Sequence, residues 1–90
     1  MATIQEATAN AMAFAQTSLG PERTQGLRLE EIESDVVGGI NVWRITLSMA
    51  YADDVPFLNA FSNRREYKTF TVRKDTGEVT SMKIREMSKV

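Results

Sequence analysis

The chain reads as an α+β fold, an N-terminal helix packed on a four-stranded antiparallel sheet, and three observations lead there. An alanine-rich opening segment repeats its apolar residues at helical spacing. From Gly26 onward the spacing changes to alternation, and two glycine-containing turn signals, Gly38-Gly39 and Asp75-Thr76-Gly77, divide the alternating runs into hairpins. With 90 residues, 42% hydrophobic and 26% charged, the chain has the size and composition of a single domain spanning 1–90.

The helix has a legible start. Thr3-Ile4-Gln5-Glu6 fits a capping box, in which the Thr3 hydroxyl and the Glu6 carboxylate each accept the other residue's amide proton. Ala7, Ala9, Ala11, Ala13 and Ala15 supply helix propensity, and Ile4, Ala7, Ala11, Phe14 and Ser18 fall on one stripe that Met12, Ala15 and Leu19 widen. Gly20-Pro21 ends it. Because the stripe is mostly small, the helix should lie close to the sheet with Ile4, Met12, Phe14 and Leu19 as its larger anchors. The absence of Lys and Arg from its polar face argues against a membrane-surface helix.

The first strand contains a conflict of parity: Leu27 and Leu29 share one face, whereas Ile32 falls on the other, so a β-bulge near Glu30-Glu31 is expected. After the Gly38-Gly39 turn comes the clearest alternation, Trp43, Ile45, Leu47, Met49 and Tyr51 against Arg44, Thr46, Ser48 and Ala50, which marks the centre of the core. The segment from Val55 to Phe61 is too apolar for a solvated connection and is expected to pack back, with a helical turn after Pro56. In the last two strands Phe70 and Val72 match Met82 and Ile84 on one face. Thr69, Thr71, Arg73, Ser81, Lys83 and Arg85 form a polar, basic opposite face.

A helix of about 17 residues is roughly 26 Å long, whereas four strands cover roughly 19 Å by 30 Å. One such helix leaves part of the apolar side of the sheet open. The chain segment Val55–Phe61, a second copy or another partner is then needed to cover it.

Composition restricts the chemistry. No His and no Cys are present, which removes the commonest general base, thiolate nucleophiles and the usual zinc ligands, and no phosphate-cradling glycine motif occurs. No run approaches the roughly 20 apolar residues of a membrane helix, and the N-terminus lacks the pattern of a signal peptide, so the cytoplasm is the expected compartment. The net charge of −1 hides an asymmetry: residues 1–60 carry three arginines against eight carboxylates, residues 61–90 eight cations against four carboxylates. Within one small domain this favours internal or self-complementary pairing over capture of an external polyanion.

The stretch Phe70-Thr71-Val72-Arg73-Lys74-Asp75-Thr76-Gly77-Glu78-Val79 resembles the terminal hairpin of PepSY-type and related cystatin-like bacterial domains, where an aromatic residue and a valine lead into an Asp-Thr-Gly turn followed by valine. Arg73 stands where those domains commonly carry an acidic residue. The resemblance implies a cystatin-like fold and a role in regulating or inhibiting other proteins, often outside the cytoplasm; it supplies no catalytic residue.

Other features have structural readings beside their functional ones. Asp53-Asp54 reads as a solvated turn rather than a cation site, and Trp43 as a core residue rather than a stacking platform. Asn63-Arg64-Arg65, followed by Tyr67 and Lys68, is suited to gripping phosphate or an acidic partner, or to pairing with Glu30, Glu31 and Glu33. The candidate partner-binding residues are Arg64, Arg65, Lys68, Arg73, Lys83 and Arg85; no catalytic residue, cofactor or metal site is expected.

Three functions follow. The leading one is a non-catalytic interaction or regulatory module that associates with a second copy, as a homodimer, through its sheet. The second is nucleic-acid binding by the six cations. The third is an enzyme or small-ligand binder with a pocket between helix and sheet near Tyr51, Asp53 and Tyr67.

Overall fold

The computed structural model describes residues 1–50 and 65–85. Within them α1 (Ile4–Leu19) precedes β1 (Arg28–Val37), β2 (Ile40–Ala50), β3 (Arg65–Arg73) and β4 (Val79–Arg85). The strands form an antiparallel sheet in the order β1-β2-β3-β4. This is the α-β-β-β-β arrangement that the periodicities predict. The expectations placed on Tyr51, Asp53, Asp54, Arg64 and the Val55–Phe61 segment lie outside the described residues.

At the head of α1 the capping box is complete: the Thr3 amide donates to Glu6 Oε1 at 3.0 Å and the Glu6 amide donates to Thr3 Oγ1 at 3.1 Å. Gly20, at φ +89°, closes the other end and its amide donates to the Gln16 carbonyl at 3.0 Å. Ala7, Ala11 and Ala15, spaced one turn apart, are fully buried against a core of Ile45, Leu47, Phe70 and Val72. The larger residues behave differently from expectation. Met12 packs against this core, but Ile4 is exposed, and Phe14 stands at the rim, where its ring meets Phe70 edge-on at 6.3 Å. Three alanines bring the helix backbone so close to the strands that longer side chains have room only at its flanks.

Opposite residues of an antiparallel pair share a face, so the register separates an inner side, under α1, from an outer one. Leu29 lies opposite Leu47 and Ile32 opposite Ile45, with Glu30 as the extra residue of a bulge between them. The bulge resolves the parity conflict and turns both residues inward. Val37 and Ile40 close the first hairpin, and Gly38 and Gly39, at φ +56° and +80°, provide the two positive angles that a two-residue type I′ turn requires. Ile45, Phe70 and Met82 make one inner row, and Trp43, Val72 and Val79 the next. Trp43 is half-buried: its Nε1 donates to the Ala2 carbonyl at 3.3 Å and Lys74 Nζ sits 4.0 Å from its ring centroid.

The helix packs on β2, β3 and β4. On the inner side of the two outer strands, Leu29 is 40% exposed, Val36 59% and Ile84 76%. No helix among the described residues is long and apolar enough to cross a membrane.

Candidate functional site

The outer side of the sheet gathers charged and hydroxyl residues from all four strands. Alternation places Glu31, Glu33 and Asp35 of β1 on it, then Arg44, Thr46 and Ser48 of β2, Tyr67, Thr69 and Thr71 of β3, and Ser81, Lys83 and Arg85 of β4. Read across the strands, one row runs Glu33, Arg44, Thr71, Ser81 and the next Glu31, Thr46, Thr69, Lys83. Acid thus stands at the β1 edge, cations at β4, and a floor of hydroxyls lies between them. The charge asymmetry of the sequence becomes a polarity across one face.

The floor is internally bonded. Thr46 and Thr69 share a hydrogen bond of 3.2 Å, and Ser81 Oγ lies 3.0 Å from Thr71 Oγ1. Over it is a groove of about 450 Å³. Arg85 spans this groove: its Nη1 donates to Thr46 Oγ1 at 3.0 Å and to Glu31 Oε1 on the far strand. Three strand spacings amount to roughly 14 Å, so both side chains must extend toward each other above the two central strands.

A second network lies beside it. Arg65 Nε donates to Ser48 Oγ at 2.8 Å and its Nη2 to the Gly26 carbonyl; Ser48 Oγ in turn donates to Glu30 Oε2 at 2.6 Å. Arg28 Nε reaches the same carboxylate oxygen at 2.8 Å. The Ser48 hydroxyl first, and the Arg28 guanidinium after it, hold the Glu30 carboxyl below its ordinary pKa, because both bonds favour the ionised form. The extra residue of the bulge is therefore also the anchor of this chain of bonds.

The five sequence-derived cations among the described residues do not converge. Arg65, Arg73, Lys83 and Arg85 share the outer side, but Lys68 lies on the inner side, 8% exposed, opposite Leu47 and Ile84, with its Nζ 3.7 Å from Glu66 Oε1. Period-two alternation separates it from its neighbours in sequence. Arg73 is engaged by Asp75 through two bonds of 2.9 and 2.7 Å, and Arg65 and Arg85 are engaged as described. Lys83 is exposed, and the ion pairs among the described residues do not include it.

Tyr67 also departs from its expected place. Paired with Ser48 and Arg85, it lies on the outer side, away from the helix and from the interlayer pocket in which it was expected. Among the described residues, no group of three or more carboxylates is placed to hold a metal ion. Every buried side-chain nitrogen and oxygen among them has a hydrogen-bond partner.

No family model, curated protein or solved structure matches this chain.

Sequence reasoning placed Thr69, Thr71 and Ser81 on the polar face but missed the Ser48–Glu30 bond and the hydrogen bonds that join the hydroxyls into a floor. Alternation does contain a signal for the floor, since Thr46, Ser48, Thr69, Thr71 and Ser81 all share outward parity, but hydroxyl residues in strands ordinarily read as neutral filler.

Proposed function

We propose that this chain is a non-catalytic protein-interaction module, cytoplasmic and regulatory, that associates with copies of itself through its sheet. The observation that carries the reading is the exposure of Leu29, Val36 and Ile84 on the apolar side of the two outer strands, although α1 packs on that side of the sheet. Apolar side chains at the margins of a sheet are stabilised when another strand continues the same layer. A PepSY-like or cystatin-like kinship of the terminal hairpin belongs to the same proposal, as does a regulatory consequence of assembly.

Nucleic-acid binding draws less support, because Arg73 and Arg85 already engage carboxylates of their own chain and Lys68 faces the other way. A pocket between the layers draws less too, since the alanine stripe of α1 rests directly on the core residues.

Sedimentation velocity across a concentration series tests the leading reading. The weight-average mass should rise with concentration, and Ile84→Lys should hold the chain at monomer mass with little change in its unfolding temperature, because that side chain is already 76% exposed. A monomer at every concentration would refute the proposal.

A further inference from the structure

Opposite charge on the two outer strands points to which strands meet. The bulges at Glu30 and Thr80 leave two regular stretches, Glu31–Val37 in β1 and Ser81–Arg85 in β4. In the first, Glu31, Glu33 and Asp35 face outward while Ile32, Ser34 and Val36 face inward; in the second, Ser81, Lys83 and Arg85 face outward while Met82 and Ile84 face inward. Charge on an edge strand ordinarily deters pairing with other chains. Here the deterrent has a sign. Pairing β1 with a second β1 sets carboxylates against carboxylates, and pairing β4 with a second β4 sets cations against cations, whereas β4 against β1 sets cations against carboxylates.

We infer that the partner of this surface is a second copy of the chain, whose β1 adds antiparallel to β4, with Lys83 opposite Glu33, Ile84 opposite Ile32 and Arg85 opposite Glu31 of that copy. The inference rests on the self-association proposed above. In this register Lys83 meets Glu33, neither of them engaged by an ion pair among the described residues, Arg85 exchanges the Glu31 of its own chain for that of the copy, and the inward Ile84 meets an isoleucine. Sliding by two residues one way sets Ile84 against Ser34; sliding two the other way runs it into the Glu30 bulge; a slip of one residue sets apolar groups against charged ones. Glu33 and Lys83 are both exposed, and the ion pairs among the described residues include neither.

The geometry has a consequence for symmetry. β1 and β4 run in opposite directions within a chain, so a β1 added antiparallel to β4 brings its own chain in the same orientation, with its β4 as the next margin. Such a contact is head-to-tail and propagates into a ring or a filament, unlike a two-fold dimer.

The absence of cysteine from the chain permits a clean trap. Glu33→Cys and Lys83→Cys, both at exposed positions, are made as separate full-length variants distinguished by a mass tag, mixed and mildly oxidised. A disulfide needs Cα atoms within about 7 Å, a distance that paired neighbouring strands meet. The mixed disulfide should exceed both same-variant disulfides several-fold, and replacing Glu33→Cys by Asp35→Cys should reduce it. If sedimentation shows association while same-variant dimers dominate, the strand pairing is overturned and self-association stands. If neither cross-link nor mass increase is seen, both fall.

Discussion

Gly77 illustrates how one residue can hold two elements in place. Its φ is +79°, and a β-carbon there would stand 3.0 Å from Asn10 Nδ2, the atom that donates to the Gly77 carbonyl at 2.9 Å. Gly77→Ala should cost about 1–2 kcal/mol for the left-handed backbone alone, lowering the unfolding temperature by roughly 4–8 °C per kcal/mol in a domain of this size. Gly38→Asn, at a turn with nothing within 4 Å and with a residue that tolerates the left-handed region, should change it far less. Thermal unfolding of the two variants makes the comparison. Ser48 acts through a proton equilibrium. Because its hydroxyl is the first cause of the lowered Glu30 pKa, the stabilisation is complete above the unfolded carboxyl pKa and is lost as pH falls through the folded value. Ser48→Ala should therefore move the Glu30 titration upward in an NMR pH series; an unmoved titration would show that the Arg28 pairing alone sets it.

Among the elements, β1 makes the sharpest prediction, because its bulge reconciles Leu29 and Ile32 with one apolar face. Deleting Glu30 removes the extra residue and leaves Leu29 opposite Leu47 and Glu31 opposite Thr46, so both faces survive and only the bonds to Ser48 and Arg28 are lost. Deleting Glu33 shortens the regular stretch and turns Leu29 and Ile32 to the outer side, at a cost on the order of 2 kcal/mol or more from Ile32 alone. Circular dichroism melts should show a folded chain for the first deletion and a much weakened transition for the second. Most of this element structure was legible in the sequence. The capping box, the bulge, both glycine turns and the alternation of β2 are patterns over a few consecutive residues, and the backbone angles they demand do not depend on distant contacts. The helix anchors were less legible: Ile4 and Phe14 share the stripe with the alanines, but how closely α1 approaches the sheet decides which of them is covered.

Over the whole molecule, the separation of charge between the chain's halves becomes a polarity from β1 to β4, and its salt response is predictable. The Debye length shortens from about 14 Å to about 4 Å between roughly 0.05 and 0.5 M salt, so self-association should weaken several-fold over that range in sedimentation runs. The unfolding temperature should change little, because partly exposed ion pairs such as Arg44–Asp35 contribute modestly to stability. An association that tightened steadily with salt would point instead to purely apolar contact. By itself, the sequence determined the α-β-β-β-β order, the parity of each strand and the positions that need positive φ, since these follow from local sterics and from the period of the apolar residues. Only the tertiary structure decided that Arg85 reaches Glu31, 54 residues away, that Lys68 is closed in beside Glu66, and that Ile84 is left exposed at the margin. Those outcomes depend on strand order and on where a narrow helix rests over a wider sheet, distances that no periodicity along the chain encodes.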